Sequence, residues 1–285
     1  MIVSMIDILT YLVAFLLYSL VGWLIWRSLY GQSASQAKGE ESAAKTVRYV
    51  HYVMLVPLML HALVLYRTIL AGTGLNLGVG SAISLIVWLT AFVYWFSGFF
   101  NRYQGLQTLL APIAAAAAIA VVLPLVFPSL KPLENTEFPA FKAHLIVAMS
   151  AYSLLTIAAL HAVLMTVVEY QLHHPAAHSL LTNLPPLLAM EKLLFAILWA
   201  GFILLTLTLL SGVVFSKEVF GQPLTFTHKT LFGFISWGTF AALLIGRQFY
   251  GWRGRIAIRW TLAGFVMLLL AYIGSKFVLE VVLNR

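Results

Sequence analysis

Eight runs of about 20 predominantly apolar residues dominate this chain, at 6–26, 53–71, 81–100, 109–127, 143–168, 193–215, 230–250 and 260–281. Each is long enough to cross roughly 30 Å of hydrocarbon as an α-helix. Each is also too long and too evenly apolar for the alternating strands of a membrane barrel, and no other backbone satisfies its own amides in lipid. The fold class predicted is therefore all-α: a polytopic membrane protein of about eight transmembrane helices, in one integral membrane domain over 1–285. Composition points the same way, with 9% charged residues against about 25% in soluble domains and a mean hydropathy of +0.96. The link NRYQGLQT between the third and fourth runs is short, and Pro112 and Pro124 predict kinks in the fourth. The first run contains Asp7, lacks a basic leader and exceeds a signal h-region in length, so it reads as the first transmembrane helix.

A net charge of +8 would suggest nucleic acid in a soluble chain. In a membrane protein Lys and Arg collect in cytoplasmic loops, so the partner expected is the lipid bilayer, with no nucleic acid. Of the 17 basic residues, ten fall in the loops after spans 1, 3, 5 and 7 and seven on the opposite side. The dense clusters at 27–48 and 247–259 share one side, which predicts a cytoplasmic face there and both termini outside. With no cysteine, disulfides, thiolate clusters and covalent haem attachment through C-x-x-C-H are excluded.

The connecting segments are chemically plain. GQSASQAKGEESAAKT at 31–46 reads as a flexible connector, and PSLKPLENTEFPAFK at 128–142 as an outer loop. His173, His174 and His178 cluster in HHPAAH but lack carboxylate or thiolate partners, and read as a solvated loop. Gly72, Gly74, Gly78 and Gly80 form a turn between spans, because no strand precedes them to make a dinucleotide fingerprint.

Five ionisable residues lie within or against the spans: Asp7, His61, His144, His161 and Glu169. Such groups are costly in lipid and read by default as functional or paired. Asp7 and Glu169 stand near span ends and fit structural roles. His144 opens span 5 and His228 precedes span 7; both spans are odd-numbered, so both histidines share one membrane face whichever way the chain inserts. Two neutral imidazoles on separate helices at one face suit bis-histidine ligation of haem iron. Phe141, Phe226, Phe232, Phe234 and Trp237 supply either the flat apolar walls of a porphyrin site or an ordinary interfacial belt. His61 lies mid-span in LMLHALVL, either as a second haem ligand or as a packed, hydrogen-bonded helix contact. His161 lies 17 residues beyond His144, about 26 Å along a helix, and cannot share its site.

At this point the chain resembles a known family. HLIVAMSAYSLLTIAALHAVL (144–164) is similar to the histidine-led helix of the cytochrome c assembly membrane proteins, the CcsA/CcmC/HemX-like haem-handling group. The segment 228–283 resembles that family's C-terminal helix pair, especially in the YpjD-type inner-membrane subgroup. LHAL around His61 and PPLLAMEKLLF (185–195) match the subgroup as well. K-x3-F-x2-W-x2-F followed by GWRGR is the more specific part of the pattern. The resemblance implies a protein that binds haem, or moves it across or along the bacterial inner membrane for cytochrome assembly. It also implies other cytochrome assembly or membrane proteins as partners. His144 matches the first external histidine of that family and His61 a histidine within the membrane. The family's tryptophan-rich external segment ends in W-D-x-K. Here FSKEVFGQPLTFTHK (215–229) has no tryptophan, and Thr227-His228-Lys229 ends it. His228 as the second ligand follows from its membrane face and not from the resemblance.

The function expected is non-covalent haem b binding in cytochrome c assembly, with His144 and His228 as axial ligands to the iron and His61 as a transient ligand during passage. No nucleophile or paired acids are visible, so binding or transport is expected and catalysis is not. The alternatives are a transporter for another solute, with broken helices at a midplane site, and an accessory subunit of a membrane complex with a decayed haem site.

Overall fold

The computed structural model describes residues 5–30, 49, 51–70, 75–97, 99, 110–128, 138–172, 186–220 and 227–278. Within these, every element is helical. The connectors 31–46 and NRYQGLQT, most of 128–142, Gly72, Gly74, Phe226 and the histidines 173, 174 and 178 lie outside the described residues. We number the helices α1 (Met5–Tyr30), α2 (Leu55–Leu65, preceded by helical 51–53), α3 (Val79–Ser97), α4 (Leu110–Val126), α5 (Pro139–Leu172), α6 (Leu187–Phe220), α7 (His228–Tyr250) and α8 (Arg255–Leu269). α2 and α8 run on through π-helical turns at Tyr66–Leu70 and Leu270–Gly274. Seven of the eight are long and apolar enough to cross a membrane; α4, with 17 residues, is apolar but shorter.

The lipid-facing character is written on α1. Leu9, Leu12, Leu16, Leu20 and Trp23 recur three and four residues apart and are all exposed, while Tyr11, Ala14, Tyr18, Val21 and Ile25 are buried. Both faces of the helix are apolar, which suits a segment with protein on one side and acyl chains on the other. In water such an exposed stripe would aggregate.

The chain packs as two compact units, Met1–Ser129 and Leu130–Arg285. In the first unit α4 packs against α1 and α3, and α2 against both α1 and α3. Small residues allow the close approach: Ala111 and Ala114 of α4 lie against Gly22 of α1, and Gly80 of α3 lies on the α4 backbone. A Cβ added at Gly80 would stand 2.5 Å from the Leu123 carbonyl oxygen and 2.7 Å from that of Phe127. Neither backbone atom can swing away, so Gly80→Ala is expected to destabilise this unit by about 1–3 kcal/mol, read as an earlier thermal transition in detergent. An unchanged melting temperature would show that α3 and α4 are not held this closely.

In the second unit α5 packs along α6 and against α8, and α7 packs between α6 and α8. Helix boundaries differ from the hydrophobicity pattern at the polar ends. α5 begins at Pro139, with Phe138 accepting from the Phe141 and Lys142 amides, so His144 sits in the second turn and does not open the helix. α6 runs from Leu187 to Phe220, beyond the expected 193–215, because backbone bonding continues through polar residues that a hydropathy window discards. α7 starts at His228, capped by Thr227, whose Oγ1 accepts from the Thr230 amide at 3.4 Å. GWRGR then makes the turn into α8. Gly251 (φ 66°) and Gly254 (φ 52°) take the left-handed backbone the turn demands, and the Trp252 amide closes on the Gly246 carbonyl.

Candidate functional site

The second unit places different chemistry at its two ends. At the end where α5 and α7 begin and α6 finishes, the His144 ring packs near Phe141, with centroids 6.4 Å apart and planes 21° from parallel. On α6, Gly212 leaves room for it: a Cβ there would lie 3.6 Å from His144 Cε1. Nδ1 of His144 meets Ser211 Oγ at 2.7 Å. The Ser211 hydroxyl donates to the Thr208 carbonyl at 3.1 Å. With its one proton on the Thr208 carbonyl the hydroxyl accepts from His144, the arrangement in which the imidazole proton is on Nδ1. Nε2 is left with its lone pair and no hydrogen bond to any described residue. A neutral imidazole oriented through Nδ1–H, with Nε2 open, is the form in which histidine ligates a metal.

His228 and Lys229 form the first turn of α7. Their side chains diverge by about 100°, because one residue of α-helix turns that far. His228 is exposed, and no hydrogen bond or ring contact joins it to His144 among the described residues. Lys229 is exposed as well, with Nζ 5.0 Å from the centre of the Tyr272 ring. Trp237 is not at the His144 ring: its Nε1 donates to Thr206 Oγ1 at 2.9 Å, and it stacks on Phe202. Phe234 is exposed, so among the described residues of the expected aromatic wall only Phe141 is seen against His144.

The opposite end is a lock of ion pairs. Glu191 Oε1 accepts from Arg247 at 2.8 Å and Arg253 at 2.9 Å, and Oε2 from the Gly254 amide at 3.3 Å. Glu169 pairs with Arg255 at 2.6 Å. His161 is buried there, and its Nε2 donates to the Met190 carbonyl at 3.0 Å. This accounts for the interfacial position of Glu169 and keeps His161 on a different site from His144, as the helix length required.

His61, in the first unit, is fully buried between three helices. Its Nε2 lies 2.8 Å from Ser84 Oγ on α3 and its Nδ1 3.4 Å from Tyr18 OH on α1. Both nitrogens are engaged, so in this structure His61 is the packed, hydrogen-bonded contact. Asp7, in the same unit, pairs with Arg67 at 2.9 Å.

The family model for cytochrome C assembly proteins matches residues 49–283. The chain belongs to the cytochrome c assembly protein family. Among its relatives, the inner membrane protein YpjD of Escherichia coli (strain K12) is 32% identical over 235 residues, covering 80% of this chain and 85% of the relative. The cytochrome c biogenesis protein CcsA of Prochlorococcus marinus (strain MIT 9215) is 36% identical over 88 residues, 31% of this chain and 28% of its own. No solved structure matches the chain. The sequence resemblance to the cytochrome c assembly proteins is thus borne out, together with the all-α membrane fold.

Ser211 and Glu191 were not singled out by sequence. For Ser211 a signal existed: span 6 ends on the face where span 5 begins, so a polar residue there stands within reach of His144. Glu191 sits just outside the expected span and looks like an ordinary loop acid.

Proposed function

We propose that this cytochrome c assembly protein binds and hands on haem in the bacterial inner membrane, with His144 Nε2 as an axial ligand. The observation that carries the reading is the Ser211–His144 pair, which orients the imidazole and leaves its lone pair available. Haem b, held without thioether bonds, would supply an iron for the histidine imidazoles of this end to hold. His228, at the same end of its unit, is the second ligand in this reading. His61 would serve during passage only by releasing Ser84 or Tyr18. With the arginine-rich 247–259 segment in the cytoplasm, both termini and the His144 end face outward. The role is binding and transfer and not catalysis, and other assembly proteins would receive the haem.

The test is an absorption spectrum of the protein purified in detergent and supplied with haemin, oxidised and then reduced. A sharp Soret band and split reduced bands, typical of six-coordinate low-spin iron, are expected. No band above that of haemin in empty micelles overturns the reading in favour of an accessory subunit, an outcome to which the tryptophan-free segment 215–229 would then be attributed.

A further inference from the structure

We infer that the end of the second unit where α7 turns into α8 seats an anionic phospholipid, with its phosphate on Arg255 and Arg259 and an acyl chain along α8. Such a seat is independent of any haem site at the other end. Residues 255, 259, 263, 266 and 270 recur three or four apart, so they share one face of α8 and its π-helical turn. All five are exposed: Arg255 and Arg259 come first, then Ala263, Val266 and Leu270. A single stripe therefore changes from basic to apolar along the helix. From Arg259 to Leu270 is 11 residues, about 16 Å of helix, close to one leaflet of a hydrocarbon core roughly 30 Å thick. A soluble anion would match only the basic part of this stripe, whereas a lipid matches both.

The arginines keep hydrogen-bonding capacity to spare. Arg255 meets Glu169 through Nε at 2.6 Å, and Arg253 meets Glu191 through Nε at 2.9 Å. Each is anchored by that one nitrogen, with its side chain 67% and 54% exposed respectively, so its terminal amino groups are open to a phosphate. Arg259 makes no hydrogen bond or ion pair with any described residue. Carboxylates are too few to neutralise the group. Arg247, Arg253, Arg255 and Arg259 share this end with two acids, Glu169 and Glu191. The segments joining α5 to α6 and α7 to α8, 173–186 and 251–254, contain no Asp or Glu. The unit's other acids, Glu134, Glu137, Glu218 and Glu280, fall in the chain near the opposite ends of α5, α6 and α8. The surplus positive charge adjoins Phe249 and Tyr250, each 77% exposed in the last turn of α7. Exposed aromatics mark the headgroup level of a bilayer, and basic clusters at that level attract anionic lipids.

The test is native mass spectrometry of the intact protein from micelles holding equal amounts of dioleoylphosphatidylglycerol and dioleoylphosphatidylcholine, which share acyl chains and differ in charge. Wild type is expected to retain the phosphatidylglycerol in preference. Arg259→Gln, which breaks no described contact, should lower that preference about fivefold, and Arg255→Gln by a similar factor. Lys142→Gln removes an exposed charge from the first turn of α5, at the other end of the unit, and should leave the preference unchanged. Inorganic phosphate should not displace the lipid, because it lacks the chain that lies along α8. Equal retention of the two lipids by wild type overturns the seat, as does a preference that survives the Arg255→Gln, Arg259→Gln double variant. An equal drop in Lys142→Gln would reveal a general effect of net charge and overturn it too. Displacement by phosphate would overturn the lipid in favour of a soluble-anion site.

Discussion

His144→Ala is expected to abolish the low-spin haem spectrum, not merely weaken it. The imidazole is oriented by a partner, with its Nδ1 2.7 Å from Ser211 Oγ and that hydroxyl 3.1 Å from the Thr208 carbonyl, while Nε2 meets no described hydrogen-bond partner. Truncation opens a space the size of the ring, bounded by Phe141 and Gly212. Free imidazole should therefore restore part of the spectrum in His144→Ala, a recovery that a misfolded variant would not show. Ser211→Ala leaves the ligand but loosens it, and a loss of about 10- to 100-fold in haem affinity is expected from removing such an outer partner. His228→Ala should leave iron bound but lower its coordination number. A Soret band unchanged by His144→Ala would sink the ligand assignment.

Glu191→Ala is expected to be the most destabilising single substitution among the ion pairs. Its side chain is only 9% exposed and holds Arg247, itself 26% exposed, together with Arg253 and the Gly254 amide of the GWRGR turn into α8. Arg247 also lies 4.6 Å over the Phe195 ring and donates to the Trp252 carbonyl at 3.4 Å. It therefore cannot turn to solvent without unpacking the α6–α7 end. Removing one partner of a buried pair strands the other charge, which costs about 3–5 kcal/mol. Thermal unfolding in detergent should show it, with Glu191→Gln intermediate because the amide still accepts a hydrogen bond. Added salt should change wild-type stability little, since a buried pair is poorly screened. A melting temperature for Glu191→Ala within a degree of wild type would mean the α7–α8 turn is held by packing alone.

The contrast between these two residues shows what could be read in advance. His144 was visible in the sequence because an imidazole at the edge of an apolar run has few reasons to be there, and span parity then set it on the face of His228. Glu191 was hidden, since an acid a few residues outside a hydropathy window resembles any loop acid until Arg247 and Arg253, more than 50 residues away, are folded onto it. Trp237 was open to two readings in the sequence, a porphyrin wall or an interfacial belt, and only the folded chain shows its indole N–H satisfied by Thr206 on the α6–α7 contact.

By itself, the order of residues determined the helical class, a count of about eight apolar helices, the placing of His144 and His228 near the starts of two odd-numbered runs, and the family. Each depends on run length, parity or motif, quantities that need no knowledge of which helices touch. Tertiary structure alone decided that His144 bonds Ser211, that His61 is engaged on both nitrogens, and that Lys229 meets Tyr272. In a chain whose helices are apolar on every side, lipid-facing and protein-facing stripes look alike. Periodicity therefore cannot say which faces meet, and the sparse polar partners declare themselves only when the helices are packed.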